Sequence, residues 1–302
     1  MDETDPAISL MLLRNSRTPY RALAKALNLS VNAVHRRVQD MQDAGIIRGF
    51  TARPSLGAAG AMQVYIFGTS RAEPLRDVPA KLSSKDSIFW VGQAGGGYLY
   101  VGAYLKNGDE LSKLTEFIKE TAEMPSPRIG VISGPETYSP PKREMDTLDW
   151  QIIDRLREDS RRSIADVAAE VSTATRTMRR RLKWMVDEEQ IELTTRWYPD
   201  ASDDIISIFH VKRAPTDMRG LYELCRRFSP NLLFPIPLMN VPEETLFFSW
   251  TRTMKELKDL RGKIEAEPDV TSVSMNILYT GDIYPTWIDE LPKRRDYAEN
   301  RT

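Results

Sequence analysis

Cysteine and histidine are nearly absent from this chain: its 302 residues include one cysteine, Cys225, and two histidines, His35 and His210. A single thiol excludes an intrachain disulfide framework, and three scattered ligands cannot build a zinc site of ordinary Cys/His spacing. The same scarcity leaves Ser-His-Asp or Cys-His catalysis almost without material. Cys225 lies in the apolar pattern of LYELCRRF and reads as a buried helix residue, and His210, in IISIFHVKR, as structural rather than ligating. No catalytic set, metal or cofactor is expected. Long apolar runs are missing too. None approaches the roughly 18 to 20 residues of a membrane span, and MDETD is the opposite of a signal peptide's basic start, so a cytoplasmic protein with no membrane partner is expected. Charge of one sign is also lacking, since 42 Lys and Arg face 43 Asp and Glu for a net charge of -1. That balance argues against nucleic-acid binding by bulk electrostatics alone.

What the chain does have is a repeat. Residues 15–54 (NSRTPYRALAKALNLSVNAVHRRVQDMQDAGIIRGFTARP) return as residues 159–198 (DSRRSIADVAAEVSTATRTMRRRLKWMVDEEQIELTTRWY), in register and without a gap. Leu12 aligns with Leu156, Ala24 with Ala168, Val34 with Met178, Val38 with Leu182, Met41 with Met185 and Ile47 with Ile191. Each copy reads as a helix-turn-helix followed by a β wing. The first helix is expected to begin at Asp5 as N-cap with Pro6 in its first turn, and its counterpart at Asp149. A second helix spans about residues 20–27 and a third about 30–44, capped by Ser30 in the first copy and by Thr173 or Thr175 in the second. Val34, Val38 and Met41, at i, i+4 and i+7, face the core and leave Asn32, Ala33, His35, Arg36 and Arg37 outside. Gly45 ends the helix, and IIRGFTAR alternates as a hairpin wing.

Each wing leads into about 80 residues with strand and helix signals in the order β, α, β, β, α, β, the split βαβ or ferredoxin-like order. The fold class expected is α+β, two winged helix-turn-helix domains alternating with two ferredoxin-like domains. The expected boundaries are 1–56 and 60–137 for the first pair, a proline-rich linker at 138–147, 148–200 and 204–282 for the second pair, and a polar, disordered tail at 283–302.

The stretch LAKALNLSVNAVHRRVQDMQDAGIIRGFTA (residues 23–52) and the glycine hairpin GQAGGGYLYVGAYLKNGDEL (residues 92–111) resemble the leucine-responsive (Lrp/AsnC, feast/famine) regulators. The resemblance covers nearly the whole chain, as two family members fused. It implies a sequence-specific transcription regulator that binds double-stranded DNA, assembles as a homo-oligomer through its ferredoxin-like sheets, and responds to an amino acid or other small metabolite. In the fusion, the two sheets of one chain could pair with each other, or pairing could occur between chains. A chromosome-architectural protein with little sequence preference is the alternative. Sirohaem decarboxylases share the layout, but such an enzyme would be expected to carry tetrapyrrole-binding histidines, and only His210 lies in either ferredoxin-like domain.

Base readout needs side chains on the first turns of the third helix and cations on its flanks. The expected DNA-binding residues are Ser30, Asn32, Ala33, His35, Arg36, Arg37 and Arg48, with Thr175, Arg176, Thr177, Arg179 and Arg180 in the second copy. Asn32 suits adenine, Arg36 or His35 guanine, and Arg37 or Arg48 phosphate. Of Arg179, Arg180 and Arg181, one must face the protein. Asp187, Glu188, Glu189 and Glu192 are expected to weaken the second copy's local field. Gly95, Gly96, Gly97 and Tyr98, with Gly92 nearby, are the candidate effector loop, able to bring backbone N–H groups to a carboxylate.

Overall fold

The computed structural model describes residues 1–134, 137–139 and 141–299; residues 135, 136, 140 and 300–302, which fall within the expected domain edge, linker and tail, lie outside it. The chain forms two compact units. One comprises Met1–Ala7, Met62–Gly134 and Pro199–Tyr284; the remaining described residues form the other.

The second unit holds both helix-turn-helix copies apart from Met1–Ala7 at the start of the first. The first consists of α1 (Thr4–Arg14), α2 (Tyr20–Ala26), α3 (Val31–Asp43), strand β1 (Ile47–Pro54) and the short α4 (Leu56–Ala59). Val34, Val38 and Met41 are buried as the spacing requires. The first helix starts earlier than expected: Asp2 accepts from the Thr4 N–H at 2.8 Å while Asp5 accepts from the Asp2 N–H at 2.8 Å, so Asp5 sits inside the first turn. This is the reciprocal logic of a capping box. Both inter-helix turns close alike. Asn28 and Ser172, equivalent at the repeat's offset of 144 positions, are left-handed (φ 54° and 51°), and the next N–H returns to Ala24 or Ala168. The third helices end on Gly45 (φ 74°) and its counterpart Glu189 (φ 52°), with Ile46 and Gln190 donating to Met41 and Met185. These are Schellman-type closures. A left-handed residue with a Cβ costs about 1 kcal/mol, so Glu189→Gly is expected to raise unfolding stability by about that amount, measured in urea; a loss would contradict this reading of the turn.

In the second copy α7 (Thr147–Leu156), α8 (Ile164–Glu170) and α9 (Thr175–Asp187) follow in the chain. The cap of α7 is Asp146, three residues before the expected Asp149, and the two form a capping box. Neither Thr173 nor Thr175 caps α9: its N-cap is Ala174, with no side-chain bond.

The expected hairpin wings do not form within each copy. Instead β1 pairs antiparallel with β6 (Ile191–Trp197) of the other copy. Phe50 faces Thr195 and Thr51 faces Thr194. Because Thr194 is the counterpart of Phe50 and Thr195 of Thr51, a pseudo-twofold axis passes between these pairs. Side chains obey the same axis. Ser16 Oγ lies 2.6 Å from its own counterpart, Ser160 Oγ. Arg17 donates to the carbonyls of Ser160 (2.5 Å) and Arg162 (2.9 Å), and its counterpart Arg161 donates to Ser16 (2.5 Å) and Thr18 (3.2 Å). One chain thus makes the self-complementary contact ordinarily made by two identical subunits. Where symmetry breaks, the cause is local: Tyr198 N–H donates to Ile46, but its counterpart Pro54 has no N–H, so Ser55 donates to Gln190 instead.

The tail is not a disordered extension as far as Glu299. It forms α12 (Trp287–Glu299) against α7 and β1, burying Trp287 and Ile288, with Leu291 against the core of the second copy. The three apolar residues share one helix face. Thr286 opens this helix by donating its N–H and hydroxyl to Asp289.

The other unit is one antiparallel eight-stranded sheet. Its strands are β2 (Met62–Thr69), β3 (Ile88–Ala94), β4 (Tyr98–Leu105), β5 (Arg128–Ser133), β7 (Ile205–Arg213), β8 (Leu232–Pro237), β9 (Glu244–Thr251) and β10 (Val270–Ile283), in the order β5-β2-β4-β3-β10-β7-β9-β8. Each half is a βαββαβ run, with α5 (Val78–Leu82) and α6 (Asp109–Thr121) in the first and α10 (Met218–Arg227) and α11 (Met254–Glu265) in the second. The halves join within the chain, because β10 is long enough to pair with β7 and then with β3.

Alternation sorts each strand's side chains. Val64, Ile66, Leu99 and Val101 enter the apolar core under α5 and α6, and Phe209, Val211 and Phe247 enter that under α10 and α11. Cys225 is buried in the latter core, as its pattern suggested. The opposite faces meet each other: Phe67 lies 5.4 Å from the His210 ring, and Trp90 lies 6.4 Å from Phe248. Here His210 is held by a closed polar network. Its Nε2 is 2.6 Å from Tyr100 Oη and its Nδ1 is 3.0 Å from Glu244, which also takes Arg128 at 2.5 Å, while Asn276 donates to Tyr100 Oη at 2.8 Å. Both ring nitrogens of His210 are thus engaged within the sheet unit.

Candidate nucleic-acid interface

The repeat places two equivalent helices, α3 and α9, on either side of the pseudo-twofold axis. Asn32, His35 and Arg36 are exposed on α3, and Arg176, Arg179 and Arg180 on α9. Ala33, Arg37, Thr175 and Thr177 are only half-exposed. The hydroxyl of Ser30 accepts from the Ala33 N–H at 3.1 Å and so spends itself on the cap. The His35 ring stands edge-on to Tyr20, with centroids 5.7 Å apart. Arg48 donates to the Gly45 carbonyl and lies 3.8 Å over the Tyr198 ring.

Electrostatics separate the helices. Arg36 sits 3.8 Å from Asp40 on its own helix. No ion pair joins Arg176, Arg179 or Arg180 to another described residue, whereas Arg181 turns inward to Asp146 and to the fully buried Asp149. Arg181 is therefore the member of the arginine triplet that serves the protein. Three of the four acids expected to weaken this copy are neutralised locally: Asp187 by Lys183 (2.6 Å), Glu188 by Lys142 (2.6 Å) and Glu192 by Arg53 (2.7 Å). These pairs belong to the end of α9 and the wing, away from the first turns that carry the free arginines.

Sequence reasoning missed Arg17 and Arg161 as the residues that join the two copies. Their signal was present, because each is the other's counterpart in a repeat and sits beside the serines that meet on the axis. Gln39 and Lys183, exposed one turn further along α3 and α9, extend the same outer faces.

In the sheet unit, residues Gly95–Gly97 make a tight turn between β3 and β4, with Gly96 and Gly97 at φ 68° and 74°. Only glycine takes two such values in succession at no cost. The Gly97 carbonyl accepts from Ser70 N–H at 2.9 Å. Tyr98 points into the polar network, where burial raises its phenol pKa against the opposing influence of Arg128.

Comparison with known proteins agrees with this layout. A winged helix-turn-helix DNA-binding family model matches residues 1–48, and an AsnC-type helix-turn-helix domain model matches residues 145–185. The HTH-type transcriptional regulator LrpA of Pyrococcus horikoshii is 30% identical over 136 residues, covering 44% of this chain and 89% of that protein. The regulator FL11 of Pyrococcus abyssi is 28% identical over 120 residues, covering 39% of this chain and 80% of that protein. Among solved structures, the siroheme decarboxylase NirDL aligns over 99% of this chain and 100% of its own with a TM-score of 0.61, at 10% identity, a likeness of fold alone. With LrpA matched over nearly its whole length and a helix-turn-helix domain matched in each half, the chain belongs to the Lrp/AsnC family of HTH-type transcriptional regulators.

Proposed function

We propose that the protein is a sequence-specific regulator that grips duplex DNA with α3 and α9 together. The observation that carries this reading is the dyad-related pair of helices, each with uncommitted hydrogen-bonding side chains on its first turns. Asn32 offers a donor and an acceptor suited to adenine, and the guanidinium of Arg36 offers the fork suited to guanine. The cations of α9 and Arg48 supply phosphate contacts, which position the protein without reading sequence.

Arg36→Ala is expected to weaken binding to the protein's own upstream region by about 1 to 3 kcal/mol and to relax preference at one base pair. The check is a labelled duplex of that region with unrelated DNA as competitor, at two salt concentrations. Unchanged affinity would remove α3 from the interface. Loss of the complex to any competitor alike, with a steep salt dependence, would replace the regulator by an architectural protein.

The regulator reading extends to an amino acid or small metabolite bound at the Gly95–Gly97 turn beside Tyr98, and to a homo-oligomer acting in the cytoplasm. The turn's glycines support the first, since nothing on them obstructs a ligand's approach to the backbone. No described helix is long and apolar enough to cross a membrane.

A further inference from the structure

The two helices are equivalent in position and different in chemistry. At the exposed positions 32, 35, 36 and 39, α3 carries Asn, His, Arg and Gln; at the matching positions 176, 179, 180 and 183, α9 carries Arg, Arg, Arg and Lys. In a symmetric dimer both helices are copies, so both half-sites must be the same sequence and the operator is a palindrome. Here the paired wings, the Ser16–Ser160 contact and the reciprocal Arg17 and Arg161 bonds keep the twofold frame within one chain. The outer faces of the two helices have diverged within that frame.

We infer that one chain recognises a non-palindromic duplex: a half-site containing adenine and guanine under α3, and a guanine-rich half-site held largely through phosphates under α9. The inference rests on the DNA-binding reading above. Its chemistry follows from the side chains. An amide pairs bidentately with adenine, and Asn32 has no matching amide at position 176. Arginine is the common partner of guanine, and Arg36 and Arg180 supply it at the same position in both copies. Arg176 and Arg179 are extra cations, and cations that do not find a base edge find the backbone.

The test is selection of bound duplexes from a random library by the full chain, followed by binding to the selected duplex, to palindromes built from each half-site, and to a scrambled control. The selected asymmetric duplex is expected to bind at least about tenfold more tightly than either palindrome. A triple variant, R176N/R179H/K183Q, gives α9 the outer face of α3; position 180 already matches. All three side chains are exposed, so folding is not at stake. The variant is expected to prefer the palindrome of the α3 half-site, and its salt dependence to fall by about 0.9 per phosphate contact removed. If every selected half-site shares one sequence, the inference is overturned while the regulator reading stands. If no duplex is enriched over competitor and Arg36→Ala has no effect, both fall together.

Discussion

Glu244→Ala is expected to cost about 1 to 3 kcal/mol of unfolding stability, because it leaves a buried imidazole N–H without its acceptor. Glu244 is 1% exposed and accepts from both His210 and Arg128. The two contacts are not equal. Arg128 is 46% exposed, so its charge is screened and can turn to water when Glu244 is lost, whereas His210 is buried among Phe67, Tyr98 and Tyr100. Most of the expected cost therefore lies with His210, whose Nδ1 would be left without an acceptor. Burial alone would raise the Glu244 pKa, but the hydrogen bonds from His210 and Arg128 and the charge of Arg128 outweigh it and hold the carboxyl at about 2, below its ordinary 4.5. A depressed acid stabilises the fold above its unfolded pKa, and that contribution is lost as pH falls from about 4.5 towards 2. Urea unfolding of the wild type and of Glu244→Gln across that window checks both points, since the glutamine variant should lack this share of the acid sensitivity. A Glu244→Ala loss below about 1 kcal/mol would mean the network adds little beyond its apolar surroundings.

The second large effect concerns the axis of the helix-turn-helix unit. Arg17 and Arg161 are each about half-buried, and burial lowers the pKa of both guanidiniums below the ordinary arginine value. Each nevertheless donates to two carbonyls of the opposite copy, and Arg161 also lies 4.3 Å over Phe50 and 4.4 Å over Tyr20. Bonds from a charged donor contribute about 1.5 to 3 kcal/mol, so Arg17→Ala and Arg161→Ala should each cost that much and the double variant about 4 kcal/mol. The pair should depart from additivity, because both act through the same Ser16 and Ser160 contact. A double-mutant cycle in urea measures this. Loss of the frame should also weaken binding to a two-half-site duplex more than to a single half-site. Three variants within 0.5 kcal/mol of the wild type would show that the paired wings alone join the copies.

Local features were legible because local sequence decides them. The spacing of Val34, Val38 and Met41 named the buried face of α3, Ser30 and Gly45 its ends, and the arginine triplet announced that one member must turn inward. Partners were not legible. IIRGFTAR has the alternation of a wing, yet β1 and β6 are equally able to pair with a neighbour in sequence or with each other, and alternation contains no address for the partner. The shared axis, with reciprocal arginines and two serines meeting on it, favours the pairing between copies. The tail was misjudged for a related reason: its composition is polar, but Trp287, Ile288 and Leu291 fall on one face, and a short amphipathic helix is worth forming only where a surface waits for it.

The sequence by itself determined the repeat, the identity of the elements and which side chains stand on the outer faces of α3 and α9, since all of these follow from periodicity and caps within a few residues. Only the tertiary structure decided that the wings cross between copies, that β10 joins the two half-sheets within one chain, and that His210, Glu244, Arg128, Tyr100 and Asn276 meet. Most of those contacts join residues more than a hundred positions apart, and even His210 and Glu244 are 34 apart. Their formation depends on burial and hydrogen-bond satisfaction across the folded chain, which no short window of sequence contains.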